Sequence, residues 1–222
     1  MPDYQRMVNH FLPLLLLAGV PGSGKTTIAA YLDRAALLSA DDFYLAFDDP
    51  RLPRTNGLPD WESEAALDWG KLHCVINKLL EGQAMRIPIY DMKRSMPVGE
   101  RLLDPAGARA LVVEGVHVFK IQVTPTVKVS RVLIISPSWK IVLRRLKRDI
   151  KEGRYSAGDA LLKAIPLFCR YRLYNRRALE KADYVVHYTR HPANVASDIK
   201  ELTNYWRERG QPSTIRFIHA KS

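Results

Sequence analysis

The chain reads as alternating buried runs and amphipathic stretches. Leu12–Ala18 is a continuous apolar run, as expected of a strand buried on both faces. Thr27–Leu37 follows with Ile28 and Leu32 four apart, which predicts a helix with one apolar face. Ala35–Ala40 predicts a second strand, ending at Asp41-Asp42-Phe43-Tyr44. Asp48–Pro59 carries Pro53, Asn56, Gly57 and Pro59 and predicts an irregular loop. Ala65–Glu81 predicts a helix, because Leu72, Val75, Ile76, Leu79 and Leu80 recur at helical spacing before Gly82.

Further on, Arg86–Asp91 and Val98–Asp104 predict two extended segments that pair across a turn. Ala110–Gly115, Val129–Ile135 and Asp183–Tyr188 predict three more strands. Trp139–Glu152, Ala157–Lys181 (interrupted at Pro166) and Val195–Arg209 predict helices. Strands alternating with helices imply an α/β fold with a mostly parallel sheet and helices on both faces. In such sheets ligands bind beyond the carboxyl ends of the strands.

One segment carries specific chemistry. Gly19-Val20-Pro21-Gly22-Ser23-Gly24-Lys25-Thr26 matches G-x-x-x-x-G-K-[ST], with a predicted strand before it and a helix after it. Backbone N–H groups of such a loop wrap nucleotide phosphates. Gly19, Pro21, Gly22, Ser23 and Gly24 would form the cradle, with Thr27 opening the helix behind them. Lys25 can reach the β- and γ-phosphates, and the Thr26 hydroxyl can hold magnesium. The expected cofactors are ATP and Mg2+.

Two acidic positions lie where that nucleotide would be. Asp41, after the second strand, could take a proton from an attacking hydroxyl or help hold the metal. Its neighbour Asp42 would then serve the turn. Glu114 closes an apolar strand, where an unpartnered acid is costly, and could reach the magnesium shell. Arg144, Arg148 and Lys151 form a basic stripe that suits either a solvated face or a lid over phosphates. His117, His187 and His191 show no zinc spacing, and no G-x-S-x-G elbow is present.

Composition narrows the class. The 222 residues, 47% of them hydrophobic, suit one globular domain over 1–222. A net charge of +11 is compatible with small anions, nucleic acid or acidic lipid. Cys74 and Cys169 form no metal motif and read as buried thiols in a reducing compartment. Although Arg6 and the apolar run after it resemble a short signal peptide, the run is needed as a strand and is too short to span a membrane. A cytoplasmic protein is expected.

Several segments then recur in order: the loop Gly19–Thr26, Ser39-Ala40-Asp41-Asp42-Phe43-Tyr44, Pro59-Asp60-Trp61, Ile87-Pro88-Ile89-Tyr90-Asp91, Val113-Glu114-Gly115, Arg144–Ile150 and Lys181-Ala182-Asp183-Tyr184. Together they resemble the uridine kinase family, within the group that includes phosphoribulokinase, pantothenate kinase and nicotinamide riboside kinase. The resemblance implies a P-loop kinase that phosphorylates the primary hydroxyl of a nucleoside. It implies Asp41 as general base and metal-associated acid, with Lys25 and Arg148 also in the catalytic set. Tyr44, Asp60, Tyr90 and Arg154 would contact the substrate. Arg145 would meet the nucleotide, and a small helical lid would span roughly 140–158.

The chain also departs from that family. Met92-Lys93-Arg94-Ser95 stands where uridine kinases carry a histidine that reads the pyrimidine, and Glu152-Gly153-Arg154 lacks an extra arginine. A nicotinamide riboside or pantothenate kinase-like acceptor is therefore the alternative, and a nucleic-acid-binding ATPase or switch a second one. Against the latter, the basic stretch lacks interleaved aromatics, and Asn77-Lys78-Leu79-Leu80 fails the guanine-reading pattern. The expected partner is a small molecule rather than nucleic acid or a membrane, with a homo-oligomer compatible.

Overall fold

The structure, a computed structural model, describes residues 11–137, 139–141, 143–144, 171–188, 191–209 and 216–218, the last eight residues of 191–209 and all of 216–218 by backbone only. Strands are β1 (Leu14–Ala18), β2 (Ala35–Ser39), β3 (Arg54–Thr55), β4 (Leu58–Pro59), β5 (Met85–Asp91), β6 (Met96–Leu103), β7 (Ala110–Gly115), β8 (Val129–Ile135), β9 (Tyr184–His187) and β10 (Arg216–Ile218). Helices are α1 (Lys25–Ala29), α2 (Trp69–Leu80) and α3 (Pro192–Arg209), with residues 139–141, 143–144 and 171–179 also helical. Six strands form one sheet in the order β10-β9-β8-β1-β7-β2, with every pairing parallel. The α/β fold with helices on both faces is thus as expected. The lid over 140–158 lies almost wholly outside the described residues.

β1 sits between β7 and β8, and its burial on both faces follows from that place. Alternate residues feed two cores. Leu14, Leu16 and Ala18 join Leu72, Ile76 and Leu79 of α2, whereas Leu15 and Leu17 join Ile28 of α1 and Val195 and Ile199 of α3. The α2 stripe is as the sequence predicts, but the helix starts later. Asp68 caps it by accepting the Lys71 N–H at 3.0 Å, and residues 64–66 form a separate 3-10 turn. Gly82 ends it with φ 81°, a left-handed backbone that a side chain would strain.

Several expectations need correction. α1 is five residues long rather than reaching Leu37. Tyr31 and Leu32 make i→i−3 bonds to Ile28 and Ala29, and Arg34 turns left-handed at φ 56°. The residues from Ala35 are instead claimed by the ladder with β7. The Asp48–Pro59 segment contains the β3–β4 hairpin, turned by Asn56 (φ 51°) and Gly57 (φ 78°), the pair of left-handed residues that a two-residue hairpin favours. Cys74 is exposed, because it falls on the α2 face opposite the apolar stripe; Cys169 lies outside the described residues. The β5–β6 pairing is antiparallel, as expected, with an irregularity at Ile89/Tyr90.

Candidate active site

Three strands deliver the predicted chemistry to one edge. β1 ends in the phosphate loop, β2 in the turn bearing Asp41, and β7 in Glu114. Register sets the neighbours: Glu114 stands beside Leu17 of β1 and Ser39 of β2. Side chains at paired positions in a parallel sheet share a face, so Ser39 and Glu114 both point toward α1.

The loop is built on close approach. Gly22 and Gly24 have φ of 84° and 96°, and a Cβ on Gly24 would lie 2.3 Å from the Tyr188 ring. A Cβ on Gly19 would lie 2.4 Å from Ser23 Oγ. Ser23 is fully buried, and its hydroxyl has no hydrogen-bond partner among the described residues. Ser136 Oγ donates to the Ser23 carbonyl at 2.8 Å, fixing the loop to the end of β8. Arg144 donates to the Gly22 carbonyl at 3.4 Å while its guanidinium lies 4.7 Å over the Tyr188 ring. Pro21 is half-buried, and Thr27 is exposed on the outer side of α1.

Glu114 is the electrostatic centre. It is 5% exposed; its Oε1 accepts from Thr26 Oγ1 at 3.1 Å and Ser39 Oγ at 2.8 Å. Its Oε2 lies 3.7 Å from Lys25 Nζ and has no hydrogen-bond partner among the described residues. Burial pushes the Glu114 carboxyl above its ordinary value, and Asp41 adds to that; the Lys25 charge and the two hydroxyls oppose it. Lys25 and Glu114 are thus a buried pair, in which loss of either charge strands the other.

Asp41 and Asp42 lie in different surroundings. A Cβ on Gly115 would lie 2.9 Å from Ala40 Cβ and 3.8 Å from Asp41 Oδ1, so the Asp41 turn presses directly on the end of β7. Asp42 instead faces Arg101 of β6 at 3.7 Å. Burial raises the Asp42 carboxyl more than Arg101 lowers it.

Beside the acids stands an aromatic wall. The Tyr44 ring meets Trp61 edge-on at 6.0 Å and Tyr90 at 6.1 Å. The Tyr90 hydroxyl donates to the Leu45 carbonyl at 2.9 Å, and burial pushes that phenol up to about 12. Asp60 precedes Trp61 and accepts the Glu62 N–H at 3.2 Å, a turn-forming contact. Tyr44 and Tyr90 are therefore together, and Asp60 is joined to them in sequence by Trp61. Arg145, Arg148 and Arg154 lie outside the described residues. Sequence reasoning missed Ser39, Arg101, Ser136 and Tyr188 and placed Arg144 only in a basic stripe. Ser39 and Tyr188 had a local signal, each lying at the carboxyl end of a predicted strand.

The residues fit a nucleotide with a metal ion. The orphaned Oε2 of Glu114, the orphaned Ser23 hydroxyl and a loop that a Cβ would fill are what a phosphate cradle requires. Among the described residues no group of three or more His, Cys, Asp or Glu side chains stands together, so phosphate and water oxygens would complete a metal's shell beside Thr26, Asp41 and Glu114.

A phosphate loop at the carboxyl edge of a parallel sheet, with its lysine held by a strand-end acid, puts the chain in the P-loop nucleotide-binding class. The sequence pattern of the Phosphoribulokinase / Uridine kinase family matches residues 46–194, about two thirds of the chain, which therefore belongs to that family of kinases. The uridine kinase of Ureaplasma parvum is 22% identical over 149 residues, 64% of this chain and 72% of that protein. The uridine kinase of Schizosaccharomyces pombe is 29% identical over 182 residues, 77% of this chain but 39% of that protein. Inorganic pyrophosphatase TTM2 of Arabidopsis thaliana is 29% identical over 156 residues, 65% of this chain, yet the match spans 21% of its length. Among solved structures, YFH7 from Saccharomyces cerevisiae shares the fold at a TM-score of 0.54 and 13% identity, over 84% of this chain and 95% of that one. Among the described residues no helix is long and apolar enough to cross a membrane.

Proposed function

We propose that the chain transfers the γ-phosphoryl group of ATP to the primary hydroxyl of a nucleoside or related ribosyl compound. The observation that carries this reading is the meeting of phosphate loop, Asp41 and Glu114 at one sheet edge, beside the wall of Tyr44, Trp61 and Tyr90. The loop amides and Lys25 hold the phosphates, and Lys25 leaves its pairing with Glu114 for them. Thr26, Asp41 and Glu114 would hold magnesium, directly or through water; when bound it supplies positive charge to the β- and γ-phosphate oxygens. The aromatic wall stacks the base and brings the hydroxyl to Asp41. Asp41 takes the hydroxyl proton while the alcohol oxygen bonds to phosphorus and the bond to ADP breaks. Arg148 and Arg145 would neutralise developing charge; Arg154 and Asp60 would contact the acceptor.

ADP release with uridine, cytidine, nicotinamide riboside and pantothenate tests the acceptor. Asp41→Asn should lower turnover by about 10^2–10^4-fold with ATP affinity within about threefold. Asp42→Asn, which alters the contact to Arg101, should leave turnover within about threefold. Near-normal turnover in Asp41→Asn removes it as base, and transfer to none of the three ribosides, or to pantothenate alone, overturns the acceptor class.

A pyridine riboside is the second reading. The turn Met92–Ser95, with Ser95 at φ 53°, stands where uridine kinases place a pyrimidine-reading histidine. Preferred turnover of nicotinamide riboside would support it. A cytoplasmic location accords with either acceptor.

A further inference from the structure

A cavity of about 130 Å3 lies at the opposite edge of the sheet, where the strands begin. It exists because α1 is short. Five helical residues extend about 7.5 Å, less than half the roughly 17 Å of a five-residue strand. Its floor is Leu15, flanked in register by Val112 and Ser130 and shared with the core under α3. Leu32, from the turn that replaces the rest of the helix, and Ala35, the first residue of β2, form the wall. An apolar cavity of roughly 150 Å3 accepts benzene, so the space suits one ring or a branched chain.

The rim is strongly cationic. Arg34, Arg109, Lys128 and Lys200 surround the mouth, and among the described lining residues Asp33, which pairs with Lys200, is the one carboxylate. Arg34, Arg109 and Lys128 are exposed. The Arg109 N–H bonds the Arg34 carbonyl at 2.6 Å, which holds the two arginine backbones side by side. An inorganic anion would leave the apolar floor unused, and a neutral ring would leave the rim unused.

We propose that this cavity binds a small organic carboxylate whose apolar body is about one ring in size. The ring fills the space over Leu15 and Val112, and the carboxylate meets Arg109 and Lys128 at the rim. Three of the four strands whose amino ends line the cavity, β1, β2 and β7, end in the phosphate loop, the Asp41 turn and Glu114. A five-residue strand spans about 17 Å, so the carboxylate and a nucleotide can be bound together.

Calorimetric titration of the full chain with benzoate tests this, with benzyl alcohol and inorganic phosphate as comparison ligands. Benzoate should saturate one site, and each comparison ligand should bind at least about tenfold more weakly. Arg109→Ala with Lys128→Ala, both on exposed side chains, should weaken benzoate about tenfold and leave the thermal melt in place. Ala35→Phe, which fills the mouth, should abolish binding. Magnesium-ATP should not displace benzoate. Failure to saturate, equal binding of benzyl alcohol, unchanged affinity in the double variant, or displacement by magnesium-ATP would each overturn the proposal.

Discussion

Replacing Ser39 by alanine probes how the sheet holds the buried carboxylate. The change deletes one oxygen, whose hydrogen bond to Glu114 Oε1 is 2.8 Å long, and leaves no cavity of consequence. Above its folded pKa, Glu114 is charged and would keep the Thr26 hydroxyl and the Lys25 ammonium. A hydrogen bond to a charged group contributes about 1.5–3 kcal/mol, against roughly 0.5–1.5 between neutral groups. Ser39→Ala should therefore cost about 2 kcal/mol at neutral pH, or roughly 4–8 °C in Tm for a chain of this size.

The pH dependence gives the sharper test. Burial already raises the folded pKa of Glu114 above 4.5. A raised carboxyl favours the fold below its unfolded pKa, and this contribution is lost as pH rises through the folded value. Ser39 opposes the raise, so removing it raises the folded pKa further. The penalty of Ser39→Ala is then full above the folded pKa and shrinks as pH falls through it. Urea melts of both proteins, without nucleotide and with chelator, at neutral pH and near pH 4.5 measure this. A penalty below about 0.5 kcal/mol, or one unchanged between the two pH values, would refute the charged hydrogen bond.

Other outcomes follow from packing. Gly24→Ala should prevent nucleotide binding and destabilise by more than about 2 kcal/mol, since its φ is 96° and its Cβ meets Tyr188. Adding Tyr188→Ala should recover the steric part in thermal melts while leaving about 1 kcal/mol of backbone strain; full recovery would contradict the left-handed conformation. Leu79→Ala, at a fully buried site between α2 and the sheet, should cost about 2–5 kcal/mol in denaturant melts, and a loss under 1 kcal/mol would contradict that packing.

What could be read from the chain was local. The phosphate loop declares itself through spacing, and β1, β7 and β8 through runs of four or more apolar residues that only a sheet buried on both faces accommodates. The α2 stripe is equally plain, because helical periodicity is written within a dozen residues. The end of α1 was not legible. Its sequence would continue a helix, but the ladder from Ala35 to Ser39 against β7 competes for the same residues and prevails. Cys74 was misplaced because apolar neighbours in sequence lie on different helix faces.

The amino-acid order by itself determined the alternation of strands and helices, the phosphate loop and the identity of its acids. Tertiary structure alone decided that Ser39 and Glu114, 75 residues apart, share a hydrogen bond, and that Arg144 reaches back 122 residues to Gly22. It also decided that a shortened helix leaves a cavity at the far edge. The reason is that parallel register joins distant segments, and no local pattern of residues encodes which position will stand beside which.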